Sequence, residues 1–283
     1  MDVELRHLRC LVAIVEAGSF TDAAIDLGMS QAAVSRTLAS LERTLGVRLL
    51  HRTSRSVAMT PAGTQLVGRA RHLLDELDDI VREARSGHSR FRLGHAWSAL
   101  GRHTTAFQRQ WAKLHPEIEL VLVRTNTPSG GLAEGACDLA VVRTAVDEKH
   151  FASMVVGVER RHVVIAADDA WARRRSIKLD EVRDRVVLVD RRTGTTSPEL
   201  WPTGSQPRLE YTADVDDWLA LIAAGGHVGI TPESTATQYA RAGVVFRPLQ
   251  GAPPVPVRVI WPRQDPHPST QAAVALITEV YRA

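Results

Sequence analysis

Two cysteines in 283 residues, Cys10 and Cys137, are too few and too far apart in sequence for a disulfide framework or a thiolate metal site. Their apolar surroundings predict buried free thiols. No apolar signal core follows Met1-Asp2-Val3-Glu4-Leu5-Arg6-His7, and no run approaches the roughly 20 apolar residues of a membrane span. A cytoplasmic chain without a membrane partner is expected. Catalytic motifs are missing too: there is no G-x-S-x-G elbow, no P-loop, no H-E-x-x-H and no dinucleotide fingerprint. Gly225-Gly226-His227-Val228-Gly229 has the glycines of a phosphate loop but leads into a strand instead of a helix. His95, His103, His162 and His227 are scattered, and each is expected to be structural. With no assembled site, neither an enzyme nor a cofactor nor a metal is expected. The net charge of +3 excludes a polycation, and a hydrophobic fraction of 44% excludes disorder and permits a small module plus a larger domain.

What charge there is concentrates locally. From Gly28 to Thr60 there are five arginines, Arg36, Arg43, Arg48, Arg52 and Arg55, against the single acid Glu42, a surplus of +4. Within this stretch Ser30 can cap a helix in which Val34, Leu38, Leu41 and Leu45 form one apolar stripe. The opposite side carries Ala32, Ser35, Arg36, Ala39 and Arg43. Just before it, Ser19 and Asp22 fit a capping box for a helix starting near Phe20, and Gly28 suits its left-handed exit. Leu5 to Glu16 form a supporting helix, with Leu8, Leu11, Val12 and Val15 on one side.

Two short helices joined by a tight turn, the second small and cationic on its outer face, suit a DNA major groove. Gln31 could read adenine, Arg36 guanine or a phosphate, and Ala32 a thymine methyl. An ordinary helical hairpin with a solvated face is the plainer alternative. The next segment, Gly46 to Pro61, has two strand-like pieces around an Arg52-Thr53-Ser54-Arg55-Ser56 tip, the pattern of a β-hairpin wing.

Phe20-Thr21-x-Ala23-Ala24-x-x-Leu27, Ser30-Gln31-x-Ala33-Val34-Ser35-Arg36, Leu41-Glu42-x-x-Leu45-Gly46-Val47-Arg48-Leu49-Leu50-x-Arg52 and Thr60-Pro61-Ala62-Gly63 together resemble the winged helix-turn-helix of LysR-type transcriptional regulators. The DNA-contacting candidates are Ser30, Gln31, Ala32, Ser35, Arg36, Arg43, Arg52, Thr53, Arg55 and Thr60. Ala32 stands where many members have proline, which leaves the helix intact and bears on base preference.

From Pro61 a long helix is expected, capped by Thr60, with Leu66, Ala70, Leu73, Leu77, Ile80 and Ala84 at heptad spacing. Periodicity alone allows either a dimerising seam or one amphipathic helix packed on its own domain. The resemblance implies the seam, hence self-association as dimer or tetramer on an interrupted palindromic operator in double-stranded DNA. The expected division is a DNA-binding domain at 1–60, a linker helix at 61–88 and a larger domain at 89–283.

Beyond Ser86-Gly87-His88-Ser89, strand-like segments alternate with helix candidates at Leu100 to Leu114, Gly131 to Gly135, Trp218 to Ala224, Glu233 to Ala242 and Ser269 to Arg282. An α/β domain with largely parallel sheets is expected. Leu132 to Val141 and Ile222 to Pro232 resemble turns of the LysR-type effector-binding domain, which is similar to a periplasmic binding protein. The fold this implies is an N-terminal all-α winged helix-turn-helix with a long linker helix, followed by a C-terminal two-lobed α/β effector-binding domain. Lobe I is expected at about 90–157 and 262–283, lobe II at about 158–261. Ligands in open α/β sheets bind beyond the carboxyl ends of strands, where this chain is rich in hydroxyls. The resemblance places Ser98, Thr127, Thr196 and Thr231 near the inducer cleft, with Trp97 and Arg143 as side walls and Thr195 in the same hydroxyl-rich turn. Arg143, Arg191 or Arg192 there would favour a carboxylate. A ligand-responsive transcription regulator is the leading reading, beside an architectural DNA binder without ligand and an enzyme in the α/β domain.

Overall fold

The computed structural model describes residues 3–52, 57–86 and 89–282. The chain forms two compact units, Met1–Arg90 with Ala133–Cys137, and Phe91–Leu132 with Asp138–Ala283.

In the first unit, helix α1 (Leu5–Ala17) ends where Gly18 turns left-handed at φ 69°. Ser19 accepts the Asp22 amide at 3.0 Å and starts α2 (Phe20–Asp26); Gly28, at φ 63°, releases the chain toward α3 (Gln31–Leu45). Ser30 caps α3 by accepting the Ala33 amide at 3.2 Å. Cys10, Leu11, Ile14, Ala23, Ala24, Val34, Leu38 and Leu41 then close one core with Leu49 and Leu50. Both small alanines on α2 are buried, as close helix crossing requires. Strands β1 (Leu50–Arg52) and β2 (Val57–Met59) pair antiparallel as the wing. Glu42 ties the wing to α3 by accepting the amides of Leu49 at 2.8 Å and Leu50 at 3.3 Å.

Helix α4 (Pro61–Ser86) starts from Thr60, whose hydroxyl accepts the Gly63 amide at 3.0 Å. A Cβ on Gly63 would lie 2.0 Å from the Leu49 carbonyl oxygen, so only glycine lets α4 cross the wing base this closely. The helix changes partners along its length. Val67 and Ala70 are buried and Leu66 packs on the same core, whereas Leu73 is 47% and Ile80 55% exposed.

The second unit holds two sheets. Its elements run β3 (Ser89–His95), α5 (Thr104–Leu114), β4 (Ile118–Arg124), β5 (Leu139–Val142), β6 (Phe151–Glu159), β7 (Arg161–Ala166), β8 (Ile177–Lys178), α6 (Leu179–Val182), β9 (Val186–Asp190), β10 (Arg208–Thr212), α7 (Val215–Ala223), β11 (His227–Pro232), α8 (Glu233–Gln238), β12 (Val244–Gln250), β13 (Val255–Pro262) and α9 (Thr270–Arg282). Lobe I has strand order β4-β3-β5-β13-β6, and lobe II has β10-β9-β11-β7-β12-β8. Phe91, Leu93, Trp111, Val257, Val259 and Ile277 fill the first core, with Phe91 stacked on Trp111 at 5.1 Å. In lobe II, Val163 and Ile165 face one core and Val164 the other, so β7 is buried on both sides.

Three expectations are corrected. Val255 to Trp261, assigned to lobe II, lies in the lobe I sheet between β5 and β6, so lobe II ends with β12. The chain crosses between lobes at Arg160 and again after Gln250, which makes β7 and β13 run against their neighbours. The sheets are therefore mixed instead of largely parallel. Gly131 to Gly135 forms turns, not a helix, because Gly130, Gly131 and Gly135 all take positive φ.

Candidate functional site

On α3, Val34, Leu38 and Leu41 are fully buried while Gln31, Ala32, Arg36 and Arg43 are exposed. Ser35 is half-buried at the edge of that face. Ser30 is exposed, and since its oxygen already accepts the Ala33 amide, its O–H is what it can offer a phosphate. Arg43 also stands in the last turn of α3, where its charge suits the helix dipole. Thr60 does not belong with these residues. It is 8% exposed and its hydroxyl donates to Arg48 O at 2.8 Å, so it joins the wing to α4. The Arg52 main chain closes β1; its side chain, and Thr53 and Arg55 at the tip, lie outside the described residues.

In the second unit, a cleft between the two lobes has about 50 Å³ of room. All seven residues expected at an effector site line it: Trp97, Ser98, Thr127, Arg143, Thr195, Thr196 and Thr231. Most come from segments just past strand ends: Trp97 and Ser98 after β3, Thr127 after β4, Arg143 after β5, Thr195 and Thr196 after β9. Thr231 differs slightly, since β11 runs through it to Pro232. Thr196 is buried and donates to Ile230 O at 3.0 Å, so its remaining lone pairs face the cleft as acceptors. Gly229 lies behind, where a Cβ would approach Trp218 Cζ2 to 2.1 Å, so glycine lets the indole pack flat under β11.

Arg143 is not free to hold an anion. Its Nη2 contacts Glu159 Oε1 at 2.7 Å, its Nε donates to Glu159 Oε2 at 3.2 Å, and Nη1 and Nη2 donate to the carbonyls of Ser98 at 2.8 Å and Ala99 at 2.9 Å. Glu159 Oε2 also accepts the Ser234 hydroxyl at 2.6 Å. Burial pushes the Glu159 carboxyl up, but Arg143 and the Ser234 donors outweigh it and hold the group below the ordinary range. Ser98 donates to Ser234 Oγ at 3.1 Å, so this cluster fastens lobe I to α8 of lobe II.

A second fastening was not anticipated. Asn126, the only asparagine in the chain, follows β4 and donates to Asp190 Oδ2 at 3.3 Å and to Ala213 O, while accepting the Thr193 hydroxyl at 2.9 Å. Asp190 Oδ1 in turn accepts the amides of Arg192 at 2.9 Å and Thr193 at 2.6 Å. Trp97 completes the joint, packing against Trp218 at 5.2 Å and accepting the Tyr239 hydroxyl on its carbonyl at 2.7 Å. The rarity of asparagine was a weak signal for this position; nothing local to Glu159 or Ser234 marked theirs.

His95, at the end of β3, is 6% exposed and its Nδ1 has no partner. Burial, reinforced by the charges of Arg124 and Arg143, pushes its pKa down to about 4. The unfolded chain therefore binds a proton that the folded chain refuses between pH 6.5 and about 4. Stability is full above pH 6.5 and falls as acid is added, by about 3 kcal/mol over that interval. Urea titrations from pH 7 to 4 will show the fall, and it will shrink in His95→Gln; an unchanged acid limb in that variant counts against His95 as its source.

Among the described residues, no cluster of three or more His, Cys, Asp or Glu could hold a metal ion. None of the described helices is long and apolar enough to cross a membrane.

Comparison with known proteins places both regions. Residues 5–64 match the family model described as bacterial regulatory helix-turn-helix protein, lysR family, and residues 84–282 match that of the LysR substrate binding domain. The chain is 30% identical over 272 residues to the small neutral protease regulatory protein of Streptomyces coelicolor, covering 89% of this chain and 80% of that one. It is 30% identical over 258 residues to the transcriptional regulator BenM of Acinetobacter baylyi, covering 82% and 81%. The crystal structure of full-length CbnR complexed with its target DNA has the same fold, with TM-score 0.69 at 22% identity over 99% of this chain and 98% of that one. Membership of a regulator family, instead of any missing motif, sets the enzyme reading aside. The chain belongs to the LysR family of transcriptional regulators, with a DNA-binding helix-turn-helix and an effector-binding domain.

Proposed function

We propose that α3 reads an interrupted palindromic operator from a dimer joined along α4, and that a small effector in the inter-lobe cleft shifts the balance between two arrangements of the oligomer on DNA. The observation that carries this reading is the sidedness of α3: Val34, Leu38 and Leu41 are buried while Gln31, Ala32, Arg36 and Arg43 point outward. Arg36 takes the base-reading role, Ser30, Ser35 and Arg43 contact phosphates beside it, and Arg52, Thr53 and Arg55 bring the wing to the backbone. The exposed Leu73 and Ile80 support α4 as the dimer seam. A cytoplasmic location follows from DNA as the partner.

The cleft's lining supports a compact effector held by hydroxyls and main-chain groups. A water needs about 10–15 Å³, so the closed cleft holds only a few water-sized groups. A larger effector requires the lobes to part. A small carboxylate fits if its oxygens accept hydroxyl protons from residues such as Thr195, whose oxygen accepts from Arg161, since Arg143 is committed to Glu159 and the Ser98 hydroxyl to Ser234. Only an effector that prefers one arrangement can move the equilibrium.

Footprinting the purified protein on DNA upstream of its own gene, with and without a pool of small carboxylates, tests the reading. Protection interrupted at the centre of a palindrome and altered by ligand is expected; protection no better than on random DNA would sink it. Arg36→Ala should lower operator affinity by about ten- to a hundredfold, or 1–3 kcal/mol, while leaving nonspecific binding largely intact. Retained discrimination between operator and scrambled DNA in a gel-shift assay would remove Arg36 from base reading.

A further inference from the structure

Three arginine side chains are buried in the second unit, and they differ in what balances them. Arg92 pairs with Asp138 at 3.0 Å and Arg143 with Glu159 at 2.7 Å. Arg161 is 8% exposed and has no carboxylate within 4.0 Å among the described residues. Its Nε donates to Pro253 O at 2.9 Å, and its Nη1 to the Thr195 carbonyl at 2.9 Å and hydroxyl at 3.3 Å. Every acceptor is neutral. No hydrogen bond engages Nη2, which carries two N–H groups, and it is not among the sealed polar atoms without a partner, so it reaches solvent.

A buried cation with an open donor edge is costly unless an opposite charge completes it. We propose that Arg161 is an anion site, taking a small oxyanion such as a carboxylate or phosphate on its Nη2 edge, distinct from the inter-lobe cleft. Its place in the fold gives the site a consequence. Arg161 begins β7 at the first crossover, Pro253 lies in the second, and Thr195 lines the cleft. An anion there strengthens the joint at which both crossovers and one cleft wall meet, so occupancy stiffens the hinge about which the lobes move. Burial lowers the Arg161 pKa to about 10, and no carboxylate offsets it. The exposed Arg160 next to it adds attraction for an approaching anion.

The test is thermal unfolding of the full-length protein in acetate and, separately, in phosphate, each against chloride at fixed ionic strength. Saturable binding should raise the melting temperature by about 3–5 °C for each tenfold increase in anion beyond half-saturation. The arm with the larger rise identifies the preferred oxyanion. Arg161→Gln should lose the rise, Arg161→Lys should keep a smaller one, and Arg109→Gln, at an exposed position on α5, should keep all of it. Crystals of the full chain soaked in sodium bromide should show an anomalous peak beside the Arg161 guanidinium. Identical melting in all three salts, or a rise that persists in a folded Arg161→Gln protein, overturns the proposal; the second outcome would assign the anion to the cleft.

Discussion

Glu159→Leu should destabilise the effector-binding domain by about 3–5 kcal/mol, the cost of leaving one member of a buried ion pair uncompensated. Both side chains qualify, Arg143 at 8% and Glu159 at 9% exposure. Removing the carboxylate also strands the Ser234 hydroxyl, which donates to it at 2.6 Å. The double variant Arg143→Met, Glu159→Leu should recover much of the loss, because a packed apolar pair is often as stable as the ion pair it replaces. Urea unfolding of the full-length protein monitored by tryptophan fluorescence will measure both. A single variant losing under about 1 kcal/mol would mean that water reaches Arg143 and that the pair behaves as a surface bridge. The pair also positions the cleft, since Arg143 holds the Ser98 and Ala99 carbonyls. The folded double variant should therefore bind effector more weakly than its stability alone requires.

Leu73→Asp should convert the oligomer toward monomer with little effect on the fold of each chain. Leu73 is 47% exposed in the single chain, so the substitution removes little intrachain packing. In a paired helix the same side chain would sit in the seam, where a carboxylate has no partner. Operator affinity should drop by about 10²–10⁴, the advantage lost when two linked half-site contacts become one. Sedimentation velocity and gel shift measure the two effects together. Asp78→Asn, also exposed but off the seam, should leave both unchanged. A Leu73→Asp protein that still sediments as wild type would show that other surfaces hold the oligomer.

The DNA-binding half was legible because its rules are local. Ser19, Ser30, Gly28 and Gly46 cap or end helices within a few residues of where they act, and the Val34–Leu38–Leu41 stripe is periodic over two turns. The cleft was legible residue by residue, since hydroxyls past strand ends mark it, but its fastening was not. Glu159 ends β6, an edge strand whose side chains give no alternating signal in the sequence: Met154, Val155 and Val158 are all exposed. The sheet to which Val255–Pro262 belongs was equally hidden. Its partners lie about a hundred residues earlier, and no local pattern says which of two sheets an apolar run will join. Arg143 lines the cleft as expected, but its pairing was not legible for a related reason, because its counter-charge Glu159 sits on β6.

The same arrangement of strands sets an order of assembly during synthesis. Lobe II is one unbroken stretch from β7 to β12, and the helix-turn-helix precedes both lobes along the chain. Lobe I waits for β13, which lies between β5 and β6 in its sheet, and for α9, which supplies Val274, Ile277 and Val280 to its core. A nascent or prematurely released chain can thus hold a finished DNA-reading module and a finished second lobe while its first lobe is still open and sticky. Competence to sense the effector arrives last, so an incomplete chain could occupy DNA but could not answer a signal.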